Sequence, residues 1–123
     1  VDVFGIPPNE AAKLMYHNPG NARDMSTLSD EEVAALASNR IALGLYTWEP
    51  YMHNPKLPQR LHRITVPTLL IWGESDQLVT PEYGRAYADL IPNAKFTAIP
   101  EAGHSPYAEQ AELFVREVFD FTN

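Results

Sequence analysis

Apolar positions recur at helical spacing along the first half of the chain and gather into short unbroken runs along the second. Val33, Leu36, Ala37, Ile41 and Leu45 repeat at helical intervals within TLSDEEVAALASNRIALGLY, the spacing that keeps one face of a helix apolar. Ser29 followed by Glu32 makes a capping box, and Asp30, Glu31 and Glu32 put negative charge on the positive end of the helix dipole. A shorter helix, NEAAKLMYH, is expected between Pro7-Pro8 and the turn signal NPGN. WEPYMHNPKLPQRLHRI carries Pro50, Pro55 and Pro58 and reads as an irregular connection with room for one short helix.

The pattern changes after Arg63. TLLIWG is apolar at positions facing both ways, which predicts a buried parallel strand rather than a half-exposed one. Gly73 ends it, ESDQLVTP is a polar loop, and Pro81 opens a helix over EYGRAYADLI at a favoured first-turn position. AKFTAIP predicts a second strand, and Lys95 and Thr97 give it the polar character of a sheet edge. PYAEQAELFVREVFDF predicts one closing helix with Leu113, Phe114, Val118 and Phe121 as its apolar stripe. The order strand, helix, strand, helix calls for parallel strands joined by a right-handed crossover. The fold class is therefore α/β, with a helical segment over residues 1–63 and a β-α-β-α unit over residues 64–123. No internal repeat or low-complexity stretch interrupts it.

Composition narrows the partners. The 123 residues are 45% hydrophobic and contain no cysteine, which suits a compact domain and excludes a disulfide scaffold, a thiolate metal site and a cysteine nucleophile. Sixteen acidic against nine basic residues give a net charge of −7. Without a Lys/Arg cluster there is no electrostatic footprint for nucleic acid or an anionic membrane. The longest apolar runs, such as VPTLLIW, fall far short of the roughly 20 residues of a membrane span. No secretory signal is visible, so a cytoplasmic setting is expected. The chain opens on Val1 rather than Met, which leads us to expect that its true start lies upstream.

The candidate chemistry sits in two loops. Asp76 follows the first strand by three residues, and His104 follows the second within IPEAGHSPYAEQ. In a parallel α/β sheet, functional groups gather beyond the carboxyl ends of the strands. Neighbouring strands lie about 4.8 Å apart, so both side chains can meet at one rim. An ionised aspartate that accepts from one ring nitrogen fixes the histidine tautomer and leaves the other nitrogen as a base. Taken singly, each residue has a plainer reading: a loop aspartate as a turn or cap, a loop histidine as a solvated side chain. Their joint placement favours the chemical one. Glu74 and Glu101 flank the same loops and are weaker candidates for the acid.

The stretch RITVPTLLIWGESDQLVTPEYGRAYADLIPNAKFTAIPEAGHSPYAEQAELFVREVFDF resembles the last two strand–helix units of the α/β-hydrolase fold. In that family an acid follows the strand-ending glycine by three residues, matching Asp76, and a Gly-His pair follows the last strand, matching Gly103-His104. PYAEQAE is similar to the stretch that opens the family's closing helix, and residues 1–63 are similar to its lid. The resemblance implies a hydrolase with a nucleophile–histidine–acid triad, for which Asp76 and His104 supply two members. The third is missing. There is no G-x-S-x-G elbow and no H-G oxyanion loop. Ser75 and Ser105 adjoin the pair too closely to face it, and Ser26, Ser29 and Ser38 lie in the lid segment. The resemblance thus implies the C-terminal part of an enzyme, inactive alone, with the nucleophile upstream. A non-catalytic binding or interaction module of the same fold remains the alternative, as does a merely structural, self-assembling fragment.

Tyr46, Trp48, Tyr51 and Met52 form an aromatic-rich patch that resembles the underside of a lid, where an apolar-leaning substrate would be held. Ordinary packing is an equal reading. His17, His53, His62 and His104 show no metal-ligand spacing, and neither metal nor cofactor is expected. Two strands alone rarely make a stable sheet, so a homo-oligomer, or association with the missing N-terminal part, is expected.

Overall fold

The computed structural model describes residues 5–123. These fall into two compact units: the described residues up to Ala22 together with Arg60–Asn123, and Arg23–Gln59. The chain passes between them again through a short helix, α3 (Pro58–Leu61).

The first unit contains α1 (Pro8–Met15), β1 (Thr68–Gly73), α4 (Pro81–Asp89), β2 (Ala94–Ile99), α5 (Pro106–Glu109) and α6 (Ala111–Thr122). The two strands pair in parallel from Thr68↔Ala94 to Gly73↔Ile99, as the strand–helix alternation predicts. Both strand spans agree with those read from the apolar runs. α4 packs on both strands at Gly84, where an added Cβ would stand 2.7 Å from the Trp72 ring and 2.8 Å from that of Phe96. Arg85 lies over the Phe96 ring, 4.8 Å from its centroid. α6 also packs on both strands. Its Leu113, Phe114 and Phe121 are half-buried.

Three expectations change on folding. First, β1 is not fully buried: Thr68 to Trp72 are each half-buried and only Gly73 is enclosed. A sheet of two strands, the number found among the described residues, covers its own apolar faces incompletely. Second, the single closing helix is broken. Gln110 takes φ −135° and ψ 56° between α5 and α6, and its side-chain amide donates to the Glu101 carbonyl. Third, α1 groups with the strands rather than with the helical segment over 1–63. Its last carbonyls, on Leu14 and Met15, accept from the backbone N–H groups of Gln77 and His104. Helix-end carbonyls need such partners, and here two core loops provide them.

The second unit is built on α2 (Asp30–Thr47). Ser29 caps it, and the reciprocal Ser29–Glu32 bonds of the capping box are both present. Arg23 also pairs with Glu32. The predicted apolar stripe is solvent-facing within this unit: Ile41 and Leu45 are 66% and 78% exposed, and α2 buries no residue.

Candidate active site

The carboxyl ends of β1 and β2 turn into two loops that are fastened to each other before any side chain is considered. Glu74 N–H donates to the Ile99 carbonyl at 2.9 Å and Ser75 N–H to the Ala102 carbonyl at 2.8 Å. Gly73 is required at this approach, because a Cβ there would overlap the carbonyl oxygens of Ala102 and Gly103. The second loop turns at Glu101, whose φ of 53° lies in the left-handed region, a conformation that costs a residue with a Cβ roughly 1–2 kcal/mol.

Asp76 is buried, at 4% exposure, and every described bond to its carboxylate is local to this rim. Oδ1 accepts from the N–H groups of Leu78 at 2.9 Å and Val79 at 3.0 Å. Those bonds fold the 76–79 turn around the carboxylate. The Val79 carbonyl in turn accepts from the Trp72 indole at 2.7 Å, which ties the turn to β1. The remaining oxygen, Oδ2, stands 2.9 Å from His104 Nδ1. The His104 side chain is 37% exposed, against 3% for that of Asp76. One partner is thus fixed and dry while the other reaches towards solvent, and its backbone N–H is held by the Met15 carbonyl at 2.6 Å.

The two residues singled out in the loops are therefore brought together. Glu74 and Glu101 are exposed and have no described bond to the His104 ring. Ser75 Oγ lies 2.8 Å from Nδ1 of a different histidine, His17. The four aromatic-patch residues lie in the second unit, where Trp48 and Tyr51 meet edge to face at 6.1 Å between centroids. Tyr46 lines an open depression of about 450 Å³ there with Glu49, Pro50, His53 and Lys56, and Trp48, Tyr51 and Met52 do not. Among the described residues, no three His, Asp or Glu side chains gather so as to hold a metal ion.

One participant was not singled out from the sequence. Glu109 of α5 accepts from the N–H of Gly103, the residue before His104, at 2.7 Å. It also accepts from the N–H groups of His17 and Asn18 and from the Asn21 amide. Burial pushes its pKa up, but these four bonds outweigh burial and hold it below the ordinary glutamate range. An acid in the first turn of a helix reads in sequence as a dipole partner, so only the PYAEQAE resemblance hinted at it.

Residues 12–111 match the alpha/beta hydrolase fold family. The chain is 35% identical over 106 residues to a 2-hydroxy-6-oxononadienedioate/2-hydroxy-6-oxononatrienedioate hydrolase of Cupriavidus pinatubonensis, a match covering 80% of this chain and 36% of that protein. A thermophilic esterase from Thermogutta terrifontis superimposes with a TM-score of 0.54 at 32% identity, over 58% of this chain and 26% of the esterase. A serine hydrolase involved in carbazole degradation (the CarC enzyme) shares the fold over 92% of this chain and 44% of its own, with a TM-score of 0.68 at 24% identity. The chain spans about a third of the length of the curated hydrolase it matches over most of its own length. With 100 consecutive residues matching, everything from β1 through α5 among them, the chain belongs to the alpha/beta hydrolase fold family.

Proposed function

We propose that Asp76 and His104 are the acid and the base of a nucleophile–histidine–acid triad that hydrolyses an ester or related bond. The observation that carries this reading is the 2.9 Å contact from His104 Nδ1 to an aspartate that is buried and doubly bonded by backbone N–H groups. A carboxylate so held keeps its orientation. It fixes the proton on Nδ1, leaves Nε2 to exchange a proton with the nucleophile and then with water, and stabilises the imidazolium that forms. The nucleophile and the oxyanion donors are, in this proposal, supplied from outside these 123 residues. Ser75, one of the two serines that adjoin the pair in sequence, is bonded to His17 instead.

The relatives' names support hydrolysis of a small organic substrate, and we propose separately that Tyr46, Trp48, Tyr51 and Met52 of the second unit are residues that bind apolar substrate surface. Three of these side chains present exposed apolar surface: Tyr46 at 90%, Trp48 at 71% and Met52 at 43%. A cytoplasmic setting belongs to the same proposal; no helix among the described residues is long and apolar enough to cross a membrane.

The test has two arms. The chain alone, assayed on p-nitrophenyl acetate, should hydrolyse no faster than its His104→Ala variant. Joined to a nucleophile-bearing upstream segment, it should gain activity that Asp76→Asn or His104→Ala lowers by about 10³-fold or more. A joined protein whose activity survives His104→Ala would refute the proposal, and a joined protein with no activity would refute it in favour of the non-catalytic module.

A further inference from the structure

Glu109 joins segments far apart in the chain. Its Oε2 accepts from the backbone N–H of Gly103 at 2.7 Å and of His17 at 3.1 Å. Its Oε1 accepts from the Asn18 N–H at 3.2 Å and from the Asn21 side-chain amide at 3.1 Å. An ionised carboxylate is an acceptor only, with about four lone-pair sites, and this donor set fills them. A glutamine could not replace it evenly, because its NH₂ group would face N–H donors.

The position of these donors matters more than their number. Gly103 immediately precedes His104, and its own surroundings leave no freedom: a Cβ there would overlap the Met15 carbonyl. That same carbonyl accepts the His104 N–H at 2.6 Å. The backbone of the histidine therefore rests on Met15, and the segment just beyond Met15 is itself held by Glu109 through His17 and Asn18. His17 reaches the other loop as well, through Nδ1 to Ser75 Oγ at 2.8 Å, beside Asp76. One carboxylate thus anchors the residue before the histidine, the segment under it, and indirectly the acid's own loop.

We infer that Glu109 is a positioning residue, which sets the His104 imidazole against Asp76 without touching either side chain. The inference rests on the reading of Asp76 and His104 as an acid–base pair.

The experiment uses this chain in four forms: unaltered, Asp76→Asn, Glu109→Gln and Glu109→Asp. The readout is the downfield proton resonance of His104 Nδ1–H at low temperature and its rate of exchange with solvent, with far-UV circular dichroism as the control for folding. The resonance should be present in the unaltered chain and lost in Asp76→Asn. In Glu109→Gln, with the dichroism unchanged, its exchange should quicken about tenfold, as expected when a charge-assisted bond holding the loop is lost. Glu109→Asp keeps the charge but draws the oxygens back by one methylene, and should quicken exchange in the same direction. If Glu109→Gln does not fold, Glu109→Asp decides alone. Exchange unchanged in both Glu109 variants would overturn the inference and leave the pair intact. Exchange quickened in Gln but not in Asp would still support it, since the aspartate carboxylate would then keep the charge-assisted bonds that hold the loop. A resonance indifferent to Asp76→Asn would remove the pair, and this inference with it.

Discussion

At the scale of single residues, the rim is organised by two carboxylates with different tasks. Asp76 is buried and spends one oxygen on its own turn and the other on His104. Glu109 is half-buried and spends both on backbone and amide donors. Its behaviour with pH follows from the direction of its shift. Burial raises its pKa and the four bonds lower it further than burial raises it, so the folded value lies below the ordinary 4.5. A group depressed on folding contributes stability that is complete above its unfolded value and is lost as pH falls through its folded value. The gap in thermal midpoint between the chain and Glu109→Gln should therefore be constant near neutral pH and close as pH falls below 4.5. An undiminished gap at about pH 3 would show that the carboxylate's charge is not what stabilises the loop.

At the scale of elements, the tightest point is the approach of the β1 end to the second loop. A Cβ on Gly73 would meet backbone oxygens of Ala102 and Gly103 rather than the end of a movable side chain, so the loop must shift to admit it. Gly73→Ala should cost about 1–3 kcal/mol, the usual penalty of overpacking. It should also weaken the downfield His104 resonance, because the displaced residues lead directly into the histidine. Gly44 offers the control: an added Cβ there meets nothing within 4 Å, and Gly44→Ala in the interior of α2 should stabilise that helix by about 0.5–1 kcal/mol. Urea unfolding of the two variants, followed by dichroism, measures both effects and should give them opposite signs.

For the molecule as a whole, apolar surface remains uncovered. β1 and β2 are each paired on one side among the described residues, and five of the six β1 residues are only half-buried. On α6, Val115 and Phe119 are each 64% exposed. A two-stranded sheet is marginal in water, and exposed apolar faces with open strand edges favour association. We expect the isolated chain to self-associate at low micromolar concentration, most simply as a two-fold dimer. Light scattering measures this directly. A cooperative monomer would show that the segment closes its own core.

The sequence by itself determined the local elements and the pairing of loops. Proline at helix starts, the Ser29–Glu32 box and the apolar runs are short-range signals, so the strands and most helices lie where those signals put them. The meeting of Asp76 with His104 was also legible, because parallel strands deliver their following loops to one rim. What only the tertiary structure decided is how that rim is held. The break at Gln110, the docking of the α1 carbonyls on both loops, and the four bonds of Glu109 join residues as many as 92 positions apart. No periodicity records such contacts, since each depends on backbone groups that every residue carries alike. The half-burial of TLLIWG was likewise invisible, for its apolar pattern records a partner on each face, and burial is set by the neighbours that fold supplies.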